Sequence, residues 1–145
     1  MNFISCLLKQ KHRFKSQHGW YVVEDSLDIC GSNINYRKLV VEAFNAAMDF
    51  NLPILEIIKT GRRIVNTLRV FDIRNGLTPD MEVLSTRYGS TSLDGPVASI
   101  CIMSYRNSIR EIYYRVMGWD PETGKPLPET LKDLELKDLI LDPKE

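Results

Sequence analysis

The stretch GRRIVNTLRVFDIRNG, residues 61–76, decides the predicted fold. Its apolar side chains recur every three to four positions, which is the periodicity of an amphipathic α-helix. Pro53 suits the first turn of this helix, and Asn75-Gly76 ends it with two residues that tolerate a positive φ. The pattern therefore predicts a long helix that runs to about Ile73. Its predicted apolar stripe consists of Leu55, Ile58, Ile64, Leu68 and Phe71.

The glycine and the polar side chains of this helix carry further information. Gly61 costs about 1 kcal/mol relative to alanine inside a helix, so we expect another part of the chain to pack closely against it. Arg62, Asn66 and Arg69 recur at helical spacing, whereas Arg63 is turned away from them. Such rows usually form structural ion pairs, although guanidinium groups also bind carboxylate or phosphate. We favour the structural interpretation.

Three further segments have helical patterns. They run from Tyr36 to Phe50, with Asn35 as the predicted N-cap, from Pro96 to Met117, and from Pro128 to Leu134. The predicted apolar face of the first consists of Leu39, Val40, Phe44, Ala47 and Met48. Residues 77–96 contain glycine, proline and many short polar residues and are predicted to be irregular. The predicted fold class is mostly α, as a single compact helical domain.

Length and composition indicate one domain with unevenly distributed charge. The chain has 145 residues, 43% of them hydrophobic, and 19 basic and 19 acidic residues that sum to zero. Residues 1–20 hold four basic residues and no acid. We therefore divide the chain into a basic N-terminal arm, residues 1–19, and a helical domain, residues 20–145. The balanced total disfavours nucleic acid as the main partner, and a small helical nucleic-acid binder is the least favoured hypothesis.

Apolar runs and cysteines indicate the cellular location. No apolar run approaches the ~18 residues of a membrane span. The opening apolar stretch, Met1 to Leu8, precedes its positive charges, which is the reverse of a secretory signal. The three cysteines, Cys6, Cys30 and Cys101, are odd in number and widely spaced, which disfavours a disulfide framework. We expect a cytoplasmic protein.

The segment DSLDIC, from Asp25 to Cys30, carries the most chemistry. It places a carboxylate five residues before a thiol, and a glycine-containing loop follows. Both groups can therefore be presented on one surface, although a single cysteine is more often a small buried hydrophobe. The histidines, His12 and His18, match no common metal-binding spacing, and we expect both to be exposed.

A third segment combines aromatic residues with a helix-ending glycine. It contains Tyr113-Tyr114 and then Gly118-Trp119-Asp120, with Gly124 and Pro126 after them. Aromatic residues in such a place usually pack in a core, and a buried Trp119 needs a partner for its indole N–H.

Together, these three segments resemble the C-terminal helical domain of the aldehyde:ferredoxin oxidoreductases, which are tungstopterin enzymes. That family has, in this order, a DxxGLC segment, a G-x-R-I-x-N-x-x-R-x-F-x-x-R-x-G stretch, an acidic loop, and Y-Y-x-x-x-G-W-D followed by G-x-P. The matching elements here are Asp25 to Cys30, Gly61 to Gly76 and Tyr113 to Pro126. The resemblance covers roughly residues 20–136.

The resemblance implies a function and site residues. It implies that Asp25 binds the aminopyrimidine edge of a tungsten-bearing molybdopterin, because a carboxylate offers two acceptors to two parallel N–H donors. It implies that Cys30 ligates a 4Fe–4S cluster and that Ile29, at the family leucine position, belongs to the cofactor-binding segment. The implied reaction oxidises an aldehyde to a carboxylic acid and passes electrons through the cluster to ferredoxin.

This sequence departs from the family pattern in three ways. Where the family usually has a pair of acids followed by Leu-Pro, this chain has PDMEVLS at residues 79–85. Asp28 stands at the family glycine, where glycine would allow the backbone to approach the cofactor closely. The tight CxxCxxxC segment that supplies the other three cluster thiolates is absent from this sequence. We therefore expect a split subunit or fragment that acts only together with a larger N-terminal oxidoreductase chain. The alternative is a non-catalytic remnant or protein-binding helical module without a cofactor.

Overall fold

The computed structural model describes residues 11–29, 37–89, 91 and 101–140, which form a mostly helical domain. The α-helices are α1 (Lys11–Ser26), α2 (Arg37–Met48), α3 (Ile54–Arg74), α4 (Arg106–Met117) and α5 (Pro128–Asp133). Short 3-10 turns cover Thr86–Gly89, Ile102–Tyr105 and Lys137–Leu139. In the described residues the only extended pairing is an isolated bridge between Trp119 and Pro126. The predicted mostly α class is confirmed.

The described helices do not meet the requirements of a membrane span. Within residues 11–29, 37–89 and 101–140, none combines enough length with enough apolar character to cross a bilayer.

Helices α1 and α3 pack closely through a pair of glycines. A Cβ atom added to Gly61 would lie 1.9 Å from the carbonyl oxygen of Gly19, and one added to Gly19 would lie 2.7 Å from that of Ile58. Both distances are far below van der Waals contact, so the two backbones touch only because neither residue has a side chain. The close packing predicted at Gly61 is confirmed.

Two clusters of buried side chains form the core. The first lies between α1, α2 and the start of α3, and its members are Trp20, Val23, Val40, Val41, Ile57 and Ile58. The second joins the middle of α3 to α4 and the turn after it, and its members are Val65, Tyr114, Met117 and Trp119. Leu131 and Leu134, from α5 and its C-terminal end, are also fully buried.

The predicted apolar stripe of α3 is wrong in part. Leu55, Leu68 and Phe71 are exposed by 74%, 55% and 62%, whereas the polar residues Asn66 and Arg69 are buried. The helix is therefore rotated so that a mixed polar and apolar face points inward. This orientation is stable because each buried polar side chain has hydrogen-bond partners on the elements that it faces.

The predicted apolar face of α2 is also wrong in part. Val40 is buried as expected, and the neighbouring Val41 is buried with it, but Leu39 and Met48 are exposed. The helix itself is confirmed within one or two residues of its predicted C-terminal end. The predicted N-cap, Asn35, lies outside the described residues.

The start of the helix predicted from Pro96 is wrong. Cys101 is extended, with φ −102° and ψ 117°, and α4 begins only at Arg106 after a 3-10 turn. An extended residue interrupts the backbone hydrogen-bond ladder, so one helix cannot run from residue 96 to residue 117. Helix α1 includes residues from both the predicted arm and the predicted domain, and that division stays a prediction.

The glycine contact gives the first testable prediction. We expect Gly61→Ala to lower the free energy of unfolding by about 1–3 kcal/mol, because the added methyl group overlaps the backbone of Gly19. Urea denaturation followed by circular dichroism measures this change. Thr60→Ala, at the adjacent exposed position, is the matched control and should stay within about 0.5 kcal/mol of wild type. Equal stability of the two variants would contradict the close contact.

Candidate functional site

The predicted cofactor-binding segment lies at the C-terminal end of α1. Asp25 is exposed in the last turn, and its carboxylate makes no hydrogen bond or ion pair with any residue that the structure describes. Ile29 is partly buried and packs against the first core cluster. The structure therefore places Asp25 and Ile29 at one helix end, while Cys30 lies outside the described residues.

The end of α1 is closed by two specific backbone hydrogen bonds. The N–H of Ile29 donates to the carbonyl of Glu24 at 3.0 Å, and the N–H of Asp28 donates to the carbonyl of Asp25 at 3.3 Å. This pair of bonds defines a Schellman motif, which requires a left-handed residue after the helix. Asp28 is that residue, with a φ of +52°. The family glycine at this position therefore has a conformational reason that is independent of any cofactor.

Apolar surface adjoins this helix end. A groove of about 460 Å³ lies between the end of α1 and the outer face of α2. It is lined by Leu27, Ile29, Leu39, Val40, Ala43, Phe44, Ala47 and Met48. All five residues of the predicted apolar face of α2 line this groove. Of these, Val40 also belongs to the buried core, and Phe44 packs against it. Ile29 consequently lines an exposed apolar surface, and Asp25 lies four residues earlier in the last turn of α1.

Arg69 is the centre of a buried polar network between α3, α4 and two loops. Its side chain is only 6% exposed and donates to both carboxylate oxygens of Glu82, at 2.6 and 3.3 Å. Its Nε donates to the carbonyl of Gly124 at 2.9 Å, and its Nη2 donates to the Tyr114 hydroxyl at 3.1 Å. The Tyr114 hydroxyl in turn donates to Glu82. Each of these bonds involves a charged group, which strengthens it.

Aromatic rings and a glycine enclose the Arg69 guanidinium. Its central carbon lies 4.6 Å from the Trp119 ring centroid and 5.1 Å from that of Tyr114, which is within range of a cation–π interaction. Gly124 has a φ of +67°, and a Cβ atom there would lie 2.1 Å from Nη2 of Arg69. Glycine is therefore required at this position both by the positive φ and by the lack of space for a side chain beside Arg69.

The Trp119 indole N–H has the partner that the sequence required. It donates to Oδ1 of Asn66 at 2.9 Å, and the amide nitrogen of Asn66 donates to the carbonyl of Arg62 at 2.8 Å. Asn66 is fully buried. Asn66 and Arg69, from the segment 61–76, thus point inward and hold the segment 113–126 in place through Trp119 and Gly124.

The ion pairs of α3 agree with the structural interpretation. Arg63 pairs with Glu56 at 3.2 Å and with Glu135 at 2.7 Å, and Lys59 also pairs with Glu135 at 2.7 Å. Because Glu135 is largely exposed, these pairs contribute little individually. They nevertheless connect α3 to the residues after α5.

Sequence reasoning missed Glu82 as the partner of Arg69. The two residues are 13 positions apart, and Glu82 lies in an irregular loop, so no periodicity relates them. The available signal was a single acid flanked by the apolar residues Met81 and Val83. For His12 and His18, the backbone lies in α1, but the predicted exposure of their side chains stays a prediction.

The fold and these contacts define a class of protein: a small helical domain that combines a rigid polar network with an exposed carboxylate at one helix end. In a comparison with protein-family models, the family described as "Aldehyde ferredoxin oxidoreductase, domains 2 & 3" matches residues 5–136. The chain therefore belongs to the aldehyde ferredoxin oxidoreductase family. Comparisons with curated proteins and with solved structures gave no match.

The end of α1 generates a prediction about stability. We expect Asp28→Gly to raise the free energy of unfolding by about 1 kcal/mol, because a left-handed φ is costly for residues other than glycine. Ser26→Gly is the control: its backbone is helical, so the same replacement should lower stability by up to ~1 kcal/mol. Thermal and urea unfolding measure both, and a destabilised Asp28→Gly variant would argue against the Schellman motif.

The polar network generates a second prediction. We expect Arg69→Met to lower the free energy of unfolding by about 3 kcal/mol, because it leaves the partly buried Glu82 without its cation. Adding Glu82→Leu should restore part of this loss by removing the unpaired carboxylate. Arg115→Met, which breaks an exposed pair with Glu111, should cost at most about 1 kcal/mol. Equal losses in the Arg69 and Arg115 variants would show that the network is energetically unimportant.

Proposed function

We propose that this chain forms one wall of a tungstopterin and iron–sulfur site that oxidises aldehydes to carboxylic acids. A larger N-terminal oxidoreductase chain would supply the rest of the site, and ferredoxin would accept the electrons in the cytoplasm. The observation that carries this proposal is the family match over residues 5–136, which includes the segment from Asp25 to Cys30.

The exposed carboxylate of Asp25 fits a role toward the pterin. It has two acceptor oxygens and no described partner, so it can accept two parallel N–H donors from an aminopyrimidine edge. Its position in the last turn of a well-packed helix fixes its backbone. Asp25 would therefore orient the pterin. Ile29, which packs against the first core cluster, would fix the position from which Cys30 follows.

The thiol of Cys30 would supply one ligand to the cluster. A 4Fe–4S cluster normally takes four thiolates, so the partner chain would contribute the other three. Within the described residues no group of three or more His, Cys, Asp or Glu side chains is placed to hold a metal ion. When bound, the pterin-held metal supplies the oxidation chemistry and the cluster supplies the electron path.

The apolar groove at the end of α1 supports a partner chain. Leu39 and Met48 are more than half exposed and line a groove that reaches Ile29. Exposed contiguous apolar surface of this kind marks interaction sites in soluble proteins. Burying it against the partner chain would also exclude water from the Asp25–Cys30 segment.

A second candidate function is a protein-binding module without a cofactor. Asp28 favours it, because this residue adds a negative charge beside an anionic cofactor and a thiolate-bound cluster. The Schellman geometry weakens that argument, since Asp28 keeps the left-handed conformation that the family glycine would adopt. Glycine adopts this φ readily, so the substitution changes charge and bulk without requiring a different backbone conformation at residue 28.

Metal analysis of the native complex tests the proposal. We expect the complex to contain tungsten and iron, and Cys30→Ser to remove most of the cluster iron while the two chains still co-purify. Asp25→Asn should lower the pterin content, because the amide offers only one acceptor oxygen. Cys101→Ser is the matched control and should leave both metals unchanged.

Two outcomes would contradict this assignment. A wild-type complex with neither tungsten nor iron would support the cofactor-free module. Normal iron content in Cys30→Ser would remove Cys30 from the cluster ligands.

A further inference from the structure

A second cavity, which Glu82 and Tyr114 of the Arg69 network help to line, combines apolar walls with cationic groups. Its volume is about 310 Å³, which lies within the range of small-molecule sites. The apolar wall consists of Leu84, Ile109, Ile112 and Val116. The three residues from α4 recur every three to four positions, so they form one continuous strip along the helix. Arg106 and Arg110 line the same cavity.

Arg106 carries an unsatisfied hydrogen-bond donor. Its Nε atom is buried from solvent and finds no hydrogen-bond acceptor, the one such buried side-chain nitrogen or oxygen in the part of the chain that the structure describes. A buried polar group without a partner is costly, and in a folded protein it calls for an explanation. An acceptor supplied by a ligand removes that cost.

The charges around the cavity favour an anion. Glu82 is the only acid that lines it among the described residues, and both of its oxygens are engaged by Arg69. Arg110 donates at 2.6 Å to the neutral carbonyl of Pro79 and makes no close ion pair with a residue that the structure describes. Arg110 also borders an outer groove that contains Glu111 and Glu122.

Two further features agree with an anionic ligand. Arg106 is the first residue of α4, and no side chain caps this helix, so the positive end of its dipole lies at the cavity. Burial raises the pKa of Tyr113, another lining residue, to about 12, against an opposing effect of Arg69. A tyrosine is neutral at physiological pH already at its ordinary pKa of about 10, so Tyr113 adds no negative charge to the cavity.

We propose that this cavity binds a small carboxylate with an apolar chain. The carboxylate would accept from the guanidinium of Arg106, and the chain would lie along Ile109, Ile112 and Val116. A planar guanidinium matches a carboxylate in geometry, and the apolar strip excludes a strongly hydrated inorganic anion. This site is separate from the Asp25–Cys30 segment and does not rest on the proposed redox function.

Calorimetric titration of the full 145-residue chain with octanoate tests the proposal. We expect octanoate to bind at least about tenfold more tightly than 1-octanol, which lacks the charge, and than acetate, which lacks the apolar chain. Raising the sodium chloride concentration should weaken octanoate binding but not 1-octanol binding. Equal affinities for octanoate and 1-octanol, or for octanoate and acetate, would overturn the proposal.

Variants of two arginines on the same helix locate the site. Arg106→Gln should weaken octanoate binding by about tenfold or more, because it removes the charge and the Nε donor. Arg115→Gln, which alters an exposed arginine outside the cavity, should change it less than about twofold. Unchanged binding by Arg106→Gln would overturn the assignment. If that variant does not fold, as judged by circular dichroism, the ligand comparison and salt dependence on wild type still decide the proposal.

Discussion

The structure depends on one buried cation, the guanidinium of Arg69. It joins four separate parts of the chain: helix α3, the loop that carries Glu82, helix α4 through Tyr114, and the turn that contains Gly124. A buried charge is stable only when it is paired and hydrogen-bonded, so each of these parts is held in one position by the needs of the others. The aromatic rings of Tyr114 and Trp119 complete the enclosure of the guanidinium.

The remainder of the domain is organised differently. Around α1 and α2 the core is mainly apolar, and α1 and α3 come close enough at Gly19 and Gly61 that neither position has room for a side chain. This part leaves Leu39 and Met48 exposed beside the end of α1. The part of the molecule around Arg69 is therefore held together by internal polar bonds, whereas the part around α1 and α2 exposes the Asp25 carboxylate and apolar side chains.

At Asp28, the backbone conformation fits the family pattern, whereas the side chain does not. The backbone of the α1 end requires a left-handed φ, and aspartate can adopt it at a modest cost in stability. The shape of the segment from Asp25 to Ile29 is thus compatible with the family pattern, while the local charge is not. Asp28 therefore departs from the family pattern in side-chain charge and bulk, while its backbone adopts a conformation that glycine also favours.

The sequence by itself determined the helical class, the family, the ends of α3 and α5, the need for a partner at Trp119, and Asp25 as a candidate site residue. These features follow from short-range patterns: periodicity, turn residues and ordered motifs. Only the tertiary structure decided which face of α3 is buried and that Glu82 neutralises Arg69. The physical reason is that a polar side chain can be buried wherever a residue distant in sequence supplies its hydrogen-bond partner. Local sequence patterns contain no information about such distant contacts.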